Sequence, residues 1–169
     1  FSPYARYSQA FGPQLEPELD TPDLLVLGLN TTRWWRHADG QVSAAQIERV
    51  ARRLEAAGPG PWKLVLLHQP VAVTYPQDCK NLLHGHARAV QRWREAGAHL
   101  VLGGHIHLPC VVPLPAPQPG PVLWMVQAGT AVSHRIRAEA GNSVNLIRLT
   151  QGPRRQAVVE RWDYQAAGE

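Results

Sequence analysis

Histidine is the residue type in this chain best placed to do chemistry, and its spacing is uneven. In LVLGGHIHLP an apolar run stops at Gly103-Gly104 and then presents His105 and His107 one residue apart. In KLVLLHQP a second apolar run ends on His68. Neutral imidazoles supply nitrogen ligands to transition metals, and three of them with a water make the ligand count of a catalytic zinc site. A glycine-led turn does not easily bury two imidazoles unless both find a partner, so G-H-x-H points to a ligand loop more strongly than one histidine would. His68 by itself fits equally well a buried, hydrogen-bonded imidazole at a strand end. The same His-x-His spacing recurs in LLHGH, at His84 and His86, but there a helix begins and no strand precedes it. Polar side chains are ordinary at such a place, and that pair is read as structural or exposed. His37, in a turn-like stretch, and His99, at the start of a strand, are read the same way.

The ligand candidates can meet only if secondary structure brings them together. Leu24 to Leu29 in DLLVLGLN is an apolar run of strand length, suited to a strand covered on both faces. Ser43 and Gln46 form a capping-box pattern, and Ile47, Val50, Ala51 and Leu54 follow at helical spacing, which predicts a helix from about Ser43 to Ala57. KLVLLHQP is the second strand and is stopped by Pro70. A helix from about His86 to Ala96 buries Ala87, Val90 and Trp93, and LVLGG is the third strand. This β–α–β–α–β order implies a sheet with helices on its faces, where functional groups gather at the carboxyl ends of parallel strands. His68, His105 and His107 all stand at such ends. Gly103 and Gly104 remove side chains just before the turn, which lets the backbone approach a metal or phosphate. From Pro109 on, VLWMVQAGT, SVNLIRLT and RQAVVERWDY are strand-like, and this half is expected to be antiparallel. Pro113 to Gly120 reads as a loop, and the first twenty or so residues as an irregular surface segment.

Bulk properties narrow the function classes. With 169 residues, 44% hydrophobic and 18% charged, residues 1–169 are expected to be one globular domain able to bury a core. No apolar run approaches the roughly 20 residues of a membrane-spanning helix, and no targeting signal opens the chain. Cys79 and Cys110 are too few and too far apart for a disulfide framework, which makes a reducing cytoplasm the default location. The formal charge of +4 comes almost wholly from scattered arginines, and no specific nucleic-acid binding is expected from it.

Taken in order, LVLLHQP, LVLGGHIHLP, VQAGTAVSHRIR and NSVNLIRL resemble the carboxyl-terminal half of calcineurin-like metallophosphoesterases, specifically the bacterial cyclic-nucleotide phosphodiesterase-like branch. The resemblance also takes in GLNTTRWW, the D-G-Q-V-S-x-x-Q start of the first long helix, and NLLHGHARAVQRW. It implies an α/β fold, a layered αββα sandwich, of which this chain is the carboxyl-terminal portion lacking the first strands. It also implies hydrolysis of phosphodiesters or phosphomonoesters, a nucleotide for example, by a hydroxide that bridges two divalent metal ions: manganese, iron or zinc. By motif, His68 and His105 correspond to ligands of the second ion and His107 to a ligand of the first. Gln69 stands where relatives often have another histidine.

The family's D-x-H, G-D-x-x-D and G-N-H-D/E motifs, which supply its carboxylates, its asparagine ligand and the histidine that assists the leaving group, do not occur here. Asp20, Asp23, Asp39, Asp78 and Asp163 sit in none of these patterns, and Gly141-Asn142-Ser143 lacks the histidine. The expectation is therefore a fragment with no catalytic residue of its own, partial or no metal occupancy, and little or no activity alone. Two alternatives stand beside it: a non-enzymatic scaffold or regulatory module, and a mononuclear zinc protein using His68, His105 and His107. In GTAVSHRIR, Thr130, Ser133, His134, Arg135 and Arg137 follow a strand on the same side, and Arg135 or Arg137 is a candidate phosphate contact as well as a candidate surface ion pair. Trp34 and Trp35 are expected to pack beside a strand, with a base-binding pocket as the other possibility, and Cys110 to be a small buried residue. A sheet without its first strands leaves an open edge and an apolar face, so self-association or pairing with the missing amino-terminal half is expected. Light scattering at high protein concentration checks this: a dimer or larger species is the expected result, and a clean monomer counts against it.

Overall fold

The computed structural model describes residues 4–33, 39–116, 120–152 and 154–165. Trp34, Trp35 and His37 lie outside the described residues. The chain runs α1 (Ala5–Phe11), β1 (Glu18–Asp20), β2 (Leu24–Gly28), α2 (Ala44–Ala56), β3 (Trp62–Leu66), a 3-10 helix (Pro76–Asn81), α3 (His86–Glu95), β4 (Leu100–Gly103), β5 (Cys110–Pro113), β6 (Trp124–Gln127), β7 (Ser143–Thr150) and β8 (Gln156–Asp163). A six-stranded mixed sheet has the order β1-β2-β3-β4-β6-β5, and β7 and β8 form a separate two-stranded sheet. The fold class is mixed α/β. No helix among the described residues is long and apolar enough to cross a membrane.

The inner strands β2, β3, β4 and β6 are mutually parallel. Their apolar runs fit that role, since β3 is buried on both faces except at Leu66 and β4 is buried at Leu100, Val101 and Gly103. One face is covered by α2 and α3. Ile47, Val50, Ala51 and Leu54 of α2 pack with Ala89, Val90 and Trp93 of α3 over Leu25, Leu27, Val65 and Val101. The Trp93 indole, fully buried, donates its N–H to Ile47 O at 3.2 Å. Ser43 caps α2 in both directions: its Oγ accepts from Gln46 N at 3.2 Å, and Gln46 Oε1 accepts from Ser43 N at 3.0 Å. Such a cap contributes about 1 kcal/mol.

The other face carries the β7–β8 hairpin. Trp62, Leu64, Leu100 and Val126 of the sheet meet Ile147, Leu149, Ala157 and Val159 of the hairpin. Trp62 Nε1 donates to Thr150 O at 3.1 Å, and Asn145 Nδ2 donates to Gln127 O at 3.1 Å. Ser143 N, donating to Thr130 O at 2.8 Å, ties the start of β7 to a neighbouring segment, and among the described residues no named strand pairs with the outer edges of this two-stranded layer. Its outer face leaves Val144 and Trp162 more than half exposed.

Two expectations need correction. The half after Pro109 is not wholly antiparallel, because β6 joins the main sheet parallel to β4, while β5 turns back on β6 antiparallel. On either side of the Pro-rich stretch the two strands are joined by Leu114 N donating to Leu123 O at 2.8 Å. Nor is the opening segment wholly irregular. It forms α1, which buries no residue, and β1, which pairs antiparallel with β2 as an edge strand. Neither element buries an apolar face, so periodicity could not reveal them.

His99, just before β4, is a structural imidazole. Lys63 N–H donates to its Nδ1 at 2.9 Å, and its ring meets Trp62 edge-on at 5.0 Å. Burial, with the charges of Arg155 and Lys63 added, pushes its pKa down to about 4. The unfolded chain takes up that proton near 6.5 and the folded chain only near 4, so the unfolded state gains as pH falls through this window. Stability from His99 is therefore complete above about pH 6.5 and is lost on acidification towards pH 4. In His99→Asn, whose Oδ1 accepts the same bond, the slope of unfolding free energy between these pH values should flatten in urea titrations.

Candidate functional site

The parallel register Leu64↔Leu100, Val65↔Val101, Leu66↔Leu102 brings the carboxyl ends of β3 and β4 side by side. Beyond them the backbones stay linked, with Leu67 N donating to Leu102 O at 3.0 Å and Gly104 N to His68 O at 2.9 Å. His68 and His105 consequently face one another. His105 Nδ1 stands 3.1 Å from His68 Nε2, with the rings nearly perpendicular at 75°. Neither imidazole readily takes a charge. The pKa of His68 is lowered by burial and then by His107, and that of His105 by burial, then His68, His107 and Arg135. His107 is thus within electrostatic reach of both.

His105 and His107 have φ of 75° and 56°, the left-handed region that disfavours side chains with a Cβ. The turn holds both there. Gln127 Nε2 donates to Gly104 O, and Ile106 and Leu108 pack with Ala140. His107 Nδ1 is 2.6 Å from Arg135 O, and since a carbonyl only accepts, Nδ1 carries the proton and Nε2 keeps its lone pair. Of the two glycines, Gly103 is the one that space requires: a Cβ there would lie 2.9 Å from Gln127 Oε1, while at Gly104 the nearest atom would be 3.8 Å away.

Can these residues hold a metal? Two imidazole nitrogens on one ion, each about 2.1 Å from it and about 90–110° apart, stand about 3.0–3.4 Å from each other. The 3.1 Å between His105 and His68 falls in that range, and both imidazoles favour the neutral form that ligates. The donor set fits a borderline divalent ion, with His107 positioned apart by its own bond to the backbone. Among the described residues no group of three or more His, Cys, Asp or Glu side chains forms a ready metal cage.

Asp39 is the residue that spacing did not single out. It pairs with His84 Nε2 at 2.5 Å, and its charge reaches His105, whose proton it favours. Asp39 is held by its neighbour Gly40, which has φ of 54° and lies against the buried Gln69, where a Cβ would come within 2.5 Å. Gln69 itself is a structural residue, 1% exposed, its Oε1 accepting from Thr31 Oγ1 at 2.5 Å. The signal available for Asp39 was its place in the loop that leaves the carboxyl end of β2, next to β3 in the sheet. His84 and His86, alike by spacing, differ in place: His86 Nδ1 donates to Leu83 O at 2.8 Å at the start of α3.

Arg135 and Arg137 also differ. The Arg135 guanidinium is exposed and close enough to lower the pKa of His105. The Arg137 guanidinium is committed to Asp78, Nη1 to Oδ1 at 3.0 Å and Nη2 to Oδ2 at 3.2 Å, with Glu139 at 3.3 Å. Cys110 is half-buried, and its thiol pKa is raised by burial. A cavity of about 580 Å³ lined by Trp62, His99, Trp124 and Arg155 opens at the amino ends of β3 and β4, away from the imidazoles. It holds no acid–base pair and is a gap between the sheet and the hairpin.

Compared with known proteins, the chain matches no family model and no curated sequence. The left-handed backbone of the turn yields a direct check. His105→Gly should be about 1 kcal/mol more stable than His105→Ala in urea unfolding, because only the alanine keeps a Cβ in that conformation.

Proposed function

We propose that this chain carries the histidine half of a dinuclear metal-dependent phosphoesterase site. His68 and His105 hold one divalent cation, and His107, through Nε2, a second. When bound, such a pair of cations neutralises phosphoryl oxygens and lowers the pKa of a bridging water. The observation that carries this reading is the 3.1 Å approach of His105 Nδ1 to His68 Nε2 at the ends of adjacent parallel strands. Arg135 adds a positive charge beside the imidazoles, suited to a phosphodiester or phosphomonoester such as a nucleotide, and Asp39 adds a negative one suited to a cation.

The carboxylate and asparagine ligands of such a site come from outside the described residues. Two layers of strands with helices on one outer face accord with an αββα sandwich whose second layer is incomplete. The edges of the β7–β8 layer, which no named strand covers among the described residues, suit further strands from an amino-terminal half or a second copy of this chain. On this reading the partner completes both the sheet and the ligand set, in the cytoplasm.

Calorimetric titration with Mn²⁺ and Zn²⁺, together with hydrolysis of bis(p-nitrophenyl) phosphate, tests the proposal. Weak cation binding is expected, its stoichiometry lowered by His105→Ala and kept by His86→Ala, with hydrolysis near background for the chain alone. Unchanged stoichiometry in His105→Ala, or vigorous metal-dependent hydrolysis by the chain alone, overturns it.

A further inference from the structure

Asp78 is a buried carboxylate, and its partner Arg137 is 59 residues away. The pair is bidentate, with the Asp78 side chain 5% exposed and that of Arg137 24% exposed. Desolvating such a pair costs about as much as its attraction returns, so stability alone is a poor reason for it. Its position suggests another. Asp78 lies in the 3-10 helix beyond β3 and Arg137 in the loop beyond β6, and the turn that bears His105 and His107 packs against both segments. Ile106 and Leu108 of that turn share a small core with Ala140 and Val73, one from each flanking segment. Ala140 N donates to Arg137 O at 3.1 Å, closing the loop on itself. Two residues before Arg137, the Arg135 carbonyl accepts from His107 Nδ1.

We infer that Asp78 and Arg137 are positioning residues for His107: their ion pair holds the loop so that the Arg135 carbonyl keeps the His107 proton on Nδ1. The Nε2 lone pair is then fixed in direction before anything binds. The use of that lone pair rests on the metal-site reading above, whereas the tautomer itself rests only on the hydrogen bonds. Ligating histidines commonly take their orientation from such a bond to the remote nitrogen, and losing it lowers metal affinity about 10–100-fold. A bidentate guanidinium fixes an angle as well as a distance, which a lysine at 137 would not do.

Imidazole nitrogen NMR on the metal-free chain, at a pH where the rings are neutral, reads the tautomer of each histidine. In the wild type, His107 should be the Nδ1–H form, as should His86, whose bond to Leu83 O involves neither partner of the ion pair. Arg137→Gln should cut the Nδ1–H population of His107 by about half or more, with His86 unchanged. Arg137→Lys, which keeps one ionic contact, should lie between. If His86 also changes in Arg137→Gln, the fold has been lost and Arg137→Lys decides. A wild-type His107 protonated on Nε2, or an unaltered His107 tautomer in a folded Arg137 variant, overturns the inference. A Zn²⁺ titration of the same samples separates the two proposals. Wild-type chain that binds no Zn²⁺ sinks the metal-site reading, and the positioning of His107 is still decided by its own spectrum.

Discussion

Parallel pairing of β3 with β4 is the constraint from which the site follows. Once Leu66 is opposite Leu102, the chain after each strand has nowhere to go but the same end of the sheet. The backbone bonds beyond the strands then leave His68 and His105 in contact. Everything else around them serves to hold that end in place. Gln127 from β6 secures Gly104, Gly40 secures the Asp39 turn against Gln69, and the loop beyond β6 presents Arg135 O. A shift of one residue in the β3–β4 register would send His68 to the opposite face and dissolve the arrangement.

The site therefore draws its geometry from backbone pairing and its chemistry from residues that the backbone strains to present. Two left-handed histidines in one turn are unfavourable for folding, and the structure sustains them by tying the turn down on several sides. The helices contribute little chemistry directly. Their role is to bury one face of the sheet, and the fully buried Trp93 is the clearest expression of it. Arg92, bonded to Glu48 at 3.1 Å and Glu55 at 2.7 Å, ties α3 to α2 at the surface.

Much of this was legible in the sequence, and what was not has identifiable causes. The apolar runs of β2, β3 and β4, the capping box of α2 and the helical spacing of α3 are local signals, and they place the histidines at strand ends. The parallel alignment of β6 with β4 is a tertiary choice, written in no periodicity of WMVQ. β5 is a short run in which Val111 and Pro113 are exposed, next to prolines, and it pairs only because β6 is there. Asp39 and His84 are 45 residues apart, and their contact depends on two loops meeting. Arg137 was visible as a charge near the site, but its partner Asp78 was not, since burial of a lone aspartate leaves no mark in the sequence.

Gln127 has a further consequence because it serves both layers. Its side-chain amide holds the carbonyl of Gly104, and its own carbonyl receives the amide of Asn145 from the hairpin. A force that lifts the two-stranded layer, or a strand that docks beside it and presses it down, is carried through one residue to the turn bearing His105 and His107. The cover of the sheet and the geometry of the imidazoles are thus mechanically linked, so whatever steadies the hairpin also stiffens the site.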